Sequence, residues 1–512
     1  MVTNMQQVER GTGQIQTAKS LNLKAAKSIM EMVKSTLGPA GMDKMMVDAG
    51  GNVIVTNDGA TILQELDVAH PGAKMIIEAA NTQEDMCYDG TTTTVVLAGQ
   101  LLVNSEALFN KGIHPNIICR GYRQAARWSM EHLATLGQES KGLLGKVAQT
   151  SVTGKALESS IDHVSDLCVE AVHNVSGDHD KIRVLCQPGG ALEDSYCFLG
   201  VILHKEFMLS STLSAQTHNA VLINTGMQEQ KVDDNVSLQF QSAHEYQEFR
   251  NKTGKEEATR AANTLIELLP DGGAVFVRDG VSEIIASMLA KGNISVVQRV
   301  PESDMIALGS LLGVPLAHTP DDITIVANSS NISQDKIGDM KYVTIESDAK
   351  SVVTTLVLRG ATRQTLDETE RGFEDALGVV SMAYNTQMIV PGGGSTYIQM
   401  AQHLRQRAAE VGGREQMAIE AFAEALEIIP ATIAENAGHD PLDTVLALRN
   451  EHQNGNTDFG PCVDSGSTIS MGVIGVWEPL GLVRQAVQSA SEVSIAILRI
   501  DDIVSRRGEA VE

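Results

Sequence analysis

The 512-residue sequence is poor in aromatic residues and contains no cysteine or histidine motif for a metal. Phe, Trp and Tyr make up 4% of it, which favours helix-rich α/β packing over a β-sandwich. The six cysteines include no CxxC pair and the 13 histidines no HExxH pair, so neither a zinc site nor a disulfide framework is predicted. No basic segment precedes an apolar one and no apolar run could cross a bilayer, so we expect a cytoplasmic protein with no membrane partner.

Basic residues are also scarce. The 64 acidic residues outnumber the 39 basic ones, which gives a formal net charge of −25. Such a surface repels phosphate backbones, so nucleic acid is not expected as a partner. Hydrophobic residues make up 43% of the chain, which is enough for sizeable cores. The length suggests about three domains.

The two ends of the chain share a helical pattern. Residues 21–37 place apolar side chains at steps of three and four, which predicts a helix that ends at Gly38-Pro39. Residues 45–56 predict two short strands. Residues 365–384 predict another long helix, and more helices lead to a strand-like end at residues 494–504. We therefore expect one domain built from both termini, with a different module inserted.

The middle of the chain alternates strands with helices. Residues 272–280 and 294–300 predict buried strands, and residues 281–292 and 301–313 predict helices. This order predicts a right-handed βαβ unit and a parallel sheet. The polar segment at residues 236–258, just before it, is either an excursion from this module or a plain surface loop.

The most specific chemical pattern is Asp89-Gly90 followed by four threonines. Glycine allows a ligand to approach the backbone closely, and free N–H groups at the start of a helix favour a phosphate. Asp89 is then placed to bridge the phosphates through Mg²⁺. An ordinary helix cap explains the same residues, and no GxxxxGK[ST] motif is present.

Four other features suit a nucleotide site but are weaker alone. They are Gly38-Pro39 after a helix end, Asp58 in a tight turn, Asp375 off the apolar stripe of its helix and the bare backbone of Gly392–Gly394. Each has an ordinary explanation as well: a helix stop, a turn residue, a solvated carboxylate and a flexible hinge.

Together these features resemble the group II chaperonins, the family that includes the archaeal thermosome and the eukaryotic TCP-1 ring complex, with the stronger likeness to the thermosome. The resemblance runs from about residue 10 to residue 505. The motifs that carry it, in family order, are TLGPAGMDKMMVD, TNDGATIL, DGTTTTVVLAGQLL, TSVTGK, ERGFEDAL, PGGGS, IPATIAENAGHDPLDTV and SASEVSIAILRIDDIV.

The resemblance implies a multidomain α/β fold with three domains. These would be a mostly helical equatorial domain (residues 1–138 and 392–512), a small α/β intermediate hinge domain (139–205 and 357–391) and an α/β apical domain (206–356). The apical domain would bind substrate proteins and carry a helical lid protrusion near residues 236–262.

The resemblance also implies a site for ATP and Mg²⁺. Asp89 would bind the Mg²⁺, and Asp58 and Asp375 would position the attacking water. Lys155 would sense the γ-phosphate from the hinge domain. The other residues expected at the nucleotide are Gly38, Pro39, Gly90, Thr91, Thr92 and Thr93 near the phosphates, Gly393 along the nucleotide and Glu478 at the ribose.

The function implied is ATP-dependent protein folding. The chain would be an ATPase subunit of a homo- or hetero-oligomeric stacked double ring that encapsulates unfolded proteins, with hydrolysis to ADP and phosphate coupled to closure of a built-in lid. Two alternatives stay open: a ring or filament of the same fold with a structural role and no folding activity, and a kinase that acts on a small molecule.

Position 88 departs from the family pattern. The family reads Gly-Asp-Gly-Thr where this chain has Tyr88 before Asp89. The missing glycine is expected to restrict the local backbone and to alter nucleotide affinity or the rate of hydrolysis.

Overall fold

The computed structural model divides the chain into two compact units. One comprises Met1–Val169 and Asp367–Glu512, and the other Glu170–Leu366. The three domain boundaries above stay predictions, and residues 236–258 of the predicted lid segment lie outside the described residues. The described residues are 18–47, 51, 53–66, 68–155, 157, 160–209, 217–227, 259–318, 322–323, 326–337, 340–346 and 353–502.

Helices make up most of the first unit and strands are concentrated in the second. The helices, in chain order, are α1 (Ala18–Lys34), α2 (Gly59–Glu65), α3 (Pro71–Cys87), α4 (Thr91–Asn110), α5 (Pro115–Leu136), α6 (Leu144–Val152), α7 (Ile161–Asn174), α8 (259–268), α9 (Glu283–Lys291), α10 (Glu302–Leu312), α11 (Arg363–Thr386), α12 (Ser395–Val411), α13 (Gly413–Leu426), α14 (Ile428–Asn436), α15 (Pro441–Gln453), α16 (Met471–Ile474) and α17 (Leu480–Leu498).

The strands are short in the first unit and longer in the second. In chain order they are β1 (Lys44–Val47), β2 (Val53–Thr56), β3 (Gln138–Glu139), β4 (Ile182–Pro188), β5 (Tyr196–Leu199), β6 (Val201–Leu203), β7 (Thr217–Ile223), β8 (Gly273–Val277), β9 (Ile294–Val297), β10 (Ala327–Ile337), β11 (Met340–Glu346), β12 (Thr354–Gly360), β13 (Met388–Pro391), β14 (Phe459–Pro461), β15 (Thr468–Ser470) and β16 (Trp477–Pro479).

The helix α4 is the centre of the first unit. Its middle is mostly apolar, and Val95, Leu97, Leu101 and Leu102 are fully buried. Because such a helix must be enclosed by others, α1, α3, α13 and α17 pack around it. The packed core behind α4 therefore fixes the position of its threonine-rich N-terminus.

The second unit contains a mixed sheet of six strands in the order β6-β11-β10-β7-β8-β9. The strands β7, β8 and β9 pair in parallel, which confirms the parallel pairing predicted for the strand–helix–strand–helix segment. All of β8 is buried because hydrophobic clusters cover both faces of the sheet. The antiparallel half of the sheet was not predicted. A second sheet has β12 between β4 and β5.

Two small sheets of the first unit position site residues. The strands β1 and β2 confirm the two short strands predicted from the sequence, and they pair as an antiparallel hairpin. The strand β13 lies between β16 and β3, and its register sets Val390 opposite Glu478. From β13 the chain passes through Gly392–Gly394 into α12. This sheet therefore holds the glycine triplet beside Glu478.

The strand-like end expected at residues 494–504 is wrong for its described part. Ser494–Leu498 form the last turns of α17 instead. The Ser494 hydroxyl donates to the carbonyls of Ala98 (3.2 Å) and Ala490 (2.7 Å), and Ile497 is buried. Tertiary packing overrides the β propensity of the isoleucines because neighbouring helices enclose α17.

A buried carboxylate ties together the junction of α13 and α14. The Glu427 side chain is 4% exposed and accepts hydrogen bonds from the guanidinium groups of Arg405 (2.5 and 2.6 Å) and Arg449 (2.8 and 2.5 Å). Burial raises the pKa of Glu427, but the hydrogen bonds from Arg449 and Arg405 outweigh it and hold the pKa below its ordinary value.

We expect Glu427→Ala to lower the free energy of unfolding by roughly 3 kcal/mol, because it leaves two guanidinium groups without their carboxylate. Urea unfolding followed by circular dichroism would measure this change. Glu435→Ala is the matched control, since Glu435 is 50% exposed and pairs with Lys34 at the surface. That variant should lose less than about 1 kcal/mol. Equal losses in the two variants would contradict the assignment.

Candidate functional site

The helix α4 begins with an N-terminus that no side chain caps. Gly90 is its N-cap residue, in the left-handed conformation at φ 84°. The N–H of Thr94 donates to the Gly90 carbonyl (2.9 Å), and so does the Thr94 hydroxyl (3.0 Å). Within the described part of the chain, the N–H groups of Thr91–Thr93 have no acceptor. Together with the helix dipole, they favour an anion at this point.

The carboxylate of Asp89 lies immediately before this helix start and is held in place. Its Oδ1 accepts from the Gly90 N–H (2.7 Å), and its Oδ2 accepts from the Ser151 hydroxyl (3.1 Å). The Asp89 backbone carbonyl accepts from the Gln83 side chain (2.9 Å). Asp89 is therefore a single, oriented carboxylate beside the anion position.

Asp58 caps α2 and also faces the start of α4. Its Oδ1 accepts from the Ala60 N–H (3.1 Å), and its Oδ2 accepts from the N–H and hydroxyl of Thr61 (2.8 and 2.7 Å). A Cβ at Gly59 would lie only 2.3 Å from the Thr92 hydroxyl oxygen. The turn therefore lies directly on the first turn of α4. Asp58 thus both caps α2 and lies at the candidate site.

Asp375, on α11, pairs with Lys155. The Lys155 Nζ lies 2.5 Å from Asp375 Oδ2, and the two side chains are only 19% and 14% exposed. The sequence predicts that Asp375 is either solvated or faces a site. The ion pair shows that it faces the loop that follows α6.

The loop carrying Lys155 contacts two other predicted elements. A Cβ at Gly154, which has φ 80°, would lie 3.0 Å from Pro39 Cα and 3.1 Å from the Gly38 carbonyl oxygen. The Asn57 side chain donates to the Gly154 carbonyl (2.6 Å). Gly38-Pro39, the Asp58 turn and the Lys155 loop therefore meet, although they are distant in sequence.

Four carboxyl groups surround one ammonium group in this cluster: Asp58, Asp89, Asp375 and Glu84 around Lys155. Burial and the charges of the three aspartates raise the pKa of Glu84 to about 9, against the lowering effect of Lys155. Burial likewise raises the pKa of Asp375 to about 7. Lys155 lowers this pKa, and the charges of Asp89 and Asp58 oppose Lys155. Burial lowers the pKa of Lys155, but the carboxylates outweigh it and hold the pKa above its ordinary value. The cluster has an excess of negative charge.

Sequence reasoning missed three residues of this cluster. Glu84 lies five positions before Asp89 in a mixed acidic and polar stretch of α3, and nothing in that stretch predicts its burial. Ser151 and Asn57 lie inside motifs that carry the family resemblance, TSVTGK and TNDGATIL. The motifs therefore indicated the segments that contain Ser151 and Asn57, whereas no motif indicated Glu84.

Gly393 and Glu478 form a second group beside the first. A Cβ at Gly392 would lie 2.7 Å from Glu478 Oε1, so the carboxylate lies against the glycine triplet. Burial, followed by the charge of Asp89, raises the pKa of Glu478 to about 7, and a hydrogen bond from the Gly393 backbone opposes this. The Gln83 side chain donates to the carbonyls of both Asp89 (2.9 Å) and Leu482 (3.4 Å), so the Asp89 loop lies beside the segment that follows Glu478.

The site offers no complete metal cage. Across the described residues, no group of three or more His, Cys, Asp or Glu side chains is arranged to hold a metal ion. Mg²⁺ needs no such cage, since it is commonly held by one or two carboxylates, phosphate oxygens and water. The oriented carboxylate of Asp89 next to an anion position fits that pattern.

The profile of the TCP-1/cpn60 chaperonin family matches residues 29–507. The chain belongs to this family. Similar proteins include thermosome subunit alpha of Halobacterium salinarum, 39% identical over 95% of this chain and 88% of that protein, and thermosome subunit alpha of Archaeoglobus fulgidus, 38% identical over 96% and 92%.

Another relative of this chaperonin chain is the thermosome subunit of Methanopyrus kandleri, 38% identical over 96% of this chain and 92% of that protein. These relatives confirm the resemblance found in the motifs. None of the helices in the described ranges is both long and apolar enough to cross a membrane.

We expect the cation-free and nucleotide-free protein to lose stability as the pH rises from about 7 to 9, by on the order of 1–3 kcal/mol. Folded Glu84 keeps its proton up to about pH 9, whereas in the unfolded chain it has lost it above its ordinary pKa of 4.5. Raising the pH therefore favours the unfolded state. Urea midpoints measured across this range would show the slope.

Glu84→Gln is the matched comparison, because it keeps the shape of the side chain and removes the proton equilibrium. The variant should show a flatter pH dependence and should be more stable than the parent at pH 9. Identical slopes in the two proteins would contradict the buried, protonated state of Glu84.

Proposed function

We propose that this chain is an ATP-hydrolysing subunit of a group II chaperonin, a ring that encloses and folds other proteins. The observation that supports the proposal best is the Lys155–Asp375 ion pair beside the uncapped start of α4 and the oriented carboxylates of Asp58 and Asp89. The relatives named as thermosome subunits support the group II class.

The phosphates of ATP would lie at the start of α4. The N–H groups and hydroxyls of Thr91, Thr92 and Thr93, which follow the left-handed Gly90, would donate to phosphate oxygens. Gly38 and Pro39 would line the same space from the other side. Lys155 would contribute its positive charge to the γ-phosphate, because the loop that carries it contacts Gly38-Pro39.

Asp89 would hold Mg²⁺ against the phosphates. Mg²⁺ supplies charge neutralisation when bound, because it draws negative charge from the phosphate oxygens. Asp89 is already oriented for this role by the Gly90 N–H and the Ser151 hydroxyl. The surplus of negative charge in the cluster is a further reason for a divalent cation to bind there.

Asp58 and Asp375 would position the attacking water. In phosphoryl transfer the protein mainly orients the nucleophile and stabilises charge. Asp58 is held by three hydrogen bonds from its own turn, and Asp375 by Lys155. Both carboxylates are therefore fixed before substrate arrives, which lowers the cost of orienting the water.

Gly393 and Glu478 would contact the nucleoside end of ATP. The glycine triplet presents bare backbone, and Glu478 lies against it. A carboxylate at this point would accept hydrogen bonds from ribose hydroxyls. The proximity of Glu478 to Asp89 fits a ligand that extends from the start of α4 to the sheet formed by β16, β13 and β3.

Hydrolysis would be coupled to movement of the hinge domain. Asp375 and Lys155 belong to the intermediate domain predicted from the family, while the phosphate-binding residues belong to the equatorial domain. Closure of the first onto the second would complete the site and close the lid over an unfolded protein client, in a gating step. The ring would be a stacked double ring of identical or related subunits.

We expect Asp375→Ala to reduce Mg²⁺-dependent release of phosphate from ATP by about 100-fold or more, because the attacking water loses its positioning carboxylate. A phosphate-release assay on the purified full chain would measure the rate. Glu374→Gln is the matched control, since the neighbouring Glu374 is exposed on the same helix. Hydrolysis by Asp375→Ala at the parent rate would show that the assignment is wrong.

Two further readouts separate the alternatives. A ring or filament with a purely structural role would not rescue a denatured client in an ATP-dependent way, whereas a chaperonin would. A small-molecule kinase would form a phosphorylated metabolite instead of free phosphate. The parent protein should therefore release free phosphate and refold a denatured client with ATP.

Assembly into a ring would use the β1–β2 hairpin. Met45 and Val47 are 71% and 65% exposed, and their cross-strand partners Val55 and Val53 are exposed on the same face. A two-stranded hairpin is marginally stable by itself in water, and an exposed apolar face indicates a contact surface. A second copy of this chain, or a related subunit, would cover it.

We expect Met45→Lys to shift the protein towards smaller species, because a charge would be buried in the subunit contact. Size-exclusion chromatography with light scattering would measure the mass with and without Mg-ATP. Val411→Lys is the control, since Val411 is a partly exposed apolar residue outside the hairpin. An unchanged oligomer mass for Met45→Lys would contradict the role of the hairpin.

A further inference from the structure

Tyr88, the residue before Asp89, has a backbone conformation that is unusual for its type. It follows α3 in the left-handed region, at φ 61° and ψ −3°, and its N–H donates to the Glu84 carbonyl (2.8 Å). Glycine adopts this conformation without strain, whereas a bulky residue does not. A tyrosine held there indicates a side-chain contact that offsets the strain.

That contact is with Gly378 on α11. A Cβ at Gly378 would lie 2.0 Å from Tyr88 Cγ and 2.4 Å from Tyr88 Cβ and Cδ2. No real Cβ approaches another carbon so closely, so the side chain of Tyr88 lies directly on the bare backbone of the helix. Tyr88 and Gly378 are thus sterically complementary.

The contact lies on the face of α11 that carries Asp375. Gly378 follows Asp375 by three residues, so the two share a face of the helix. Gly372 precedes Asp375 by three residues, and a Cβ there would lie 2.7 Å from Leu157 Cδ1. The helix therefore meets the Lys155 loop through Gly372 and Asp375, and the Asp89 loop through Gly378.

We propose that Tyr88 is a positioning residue: its ring seats α11 against the Asp89 loop and sets the spacing between Asp375 and Asp89. The inference rests on the proposed ATPase function and assigns a role to the residue that departs from the family pattern. Without the ring, no side chain would hold α11 at a fixed distance from the Asp89 loop. Nucleotide would still bind, but the water held by Asp375 would be misplaced relative to the phosphate.

The test compares Mg²⁺-dependent ATP hydrolysis by the full-length parent, Tyr88→Gly and Tyr88→Phe. Tyr88→Gly should lower kcat by about 10- to 100-fold with KM for ATP unchanged, because only the geometry of the reacting groups is disturbed. Tyr88→Phe keeps the ring and should retain a rate within about threefold of the parent. Because unfolded protein would also lower the apparent kcat without changing KM, each rate is divided by the stoichiometry of ATP binding, which counts the folded protein.

Gly378→Ala tests the contact from the other side. An alanine in a helix interior is ordinarily more stable than a glycine, so a helix with open space there should gain stability. With the ring of Tyr88 in the way, Gly378→Ala should lower both Tm and kcat. The double variant Tyr88→Gly/Gly378→Ala should recover Tm above that of Gly378→Ala, because the ring has been removed.

The outcomes are distinct. A Tyr88→Gly protein with the parent's kcat, or a Gly378→Ala protein with an unchanged or raised Tm, would overturn the proposal. If Gly378→Ala does not fold, the comparison of Tyr88→Gly with Tyr88→Phe still decides the positioning role. A parent protein that hydrolyses no ATP would overturn the proposed function together with this inference, whereas an active parent and an equally active Tyr88→Gly would overturn only the inference.

Discussion

The ion pair between Lys155 and Asp375 is the interaction on which the candidate site depends. It joins the loop after α6 to the middle of α11 across 220 residues of sequence, and both side chains are largely buried. A buried carboxylate is costly unless a positive charge lies beside it, and a buried lysine has the same requirement. The pair therefore makes the burial of each partner possible and fixes the two segments together.

One lysine does not neutralise the carboxylates around it. Asp58, Asp89 and Glu84 add to Asp375, and burial, followed by the charges of neighbouring aspartates, raises the pKa of Glu84 and Asp375. Beside this negative cluster lies the start of α4, whose free N–H groups attract an anion. Under the proposed function, a nucleotide phosphate bridged by a divalent cation would satisfy both demands at once, which neither a bare anion nor a bare cation would do.

Close backbone approach allows these charged groups to meet. Gly59 lies on the first turn of α4, Gly154 on Gly38-Pro39, and Gly378 under the side chain of Tyr88. At each point a Cβ would collide with the neighbouring element or strain against it. The fold thus replaces side-chain packing by direct backbone contact around the cluster, and this brings the loops close enough for their carboxylates to interact.

The sequence by itself determined the elements that depend on local chemistry. The apolar helix α4 with its threonine start, the two short strands β1 and β2 and the strand–helix–strand order of β8, α9 and β9 all follow from hydrophobic period and from glycine and proline positions. The motifs also predicted most residues of the candidate site, since the residues that meet in space lie in segments that match motifs of the family.

Only the tertiary structure decided the properties that arise between segments. Periodicity describes one segment and not its neighbours, so nothing in the sequence around Glu84 indicated that it would be partly buried beside three aspartates. The last turns of α17 contain isoleucines that suit a strand, and the helices packed around them made them helical instead. The contact of Tyr88 with Gly378 likewise depends on how α11 packs. Steric fit is a property of two surfaces, so neither segment alone predicts it.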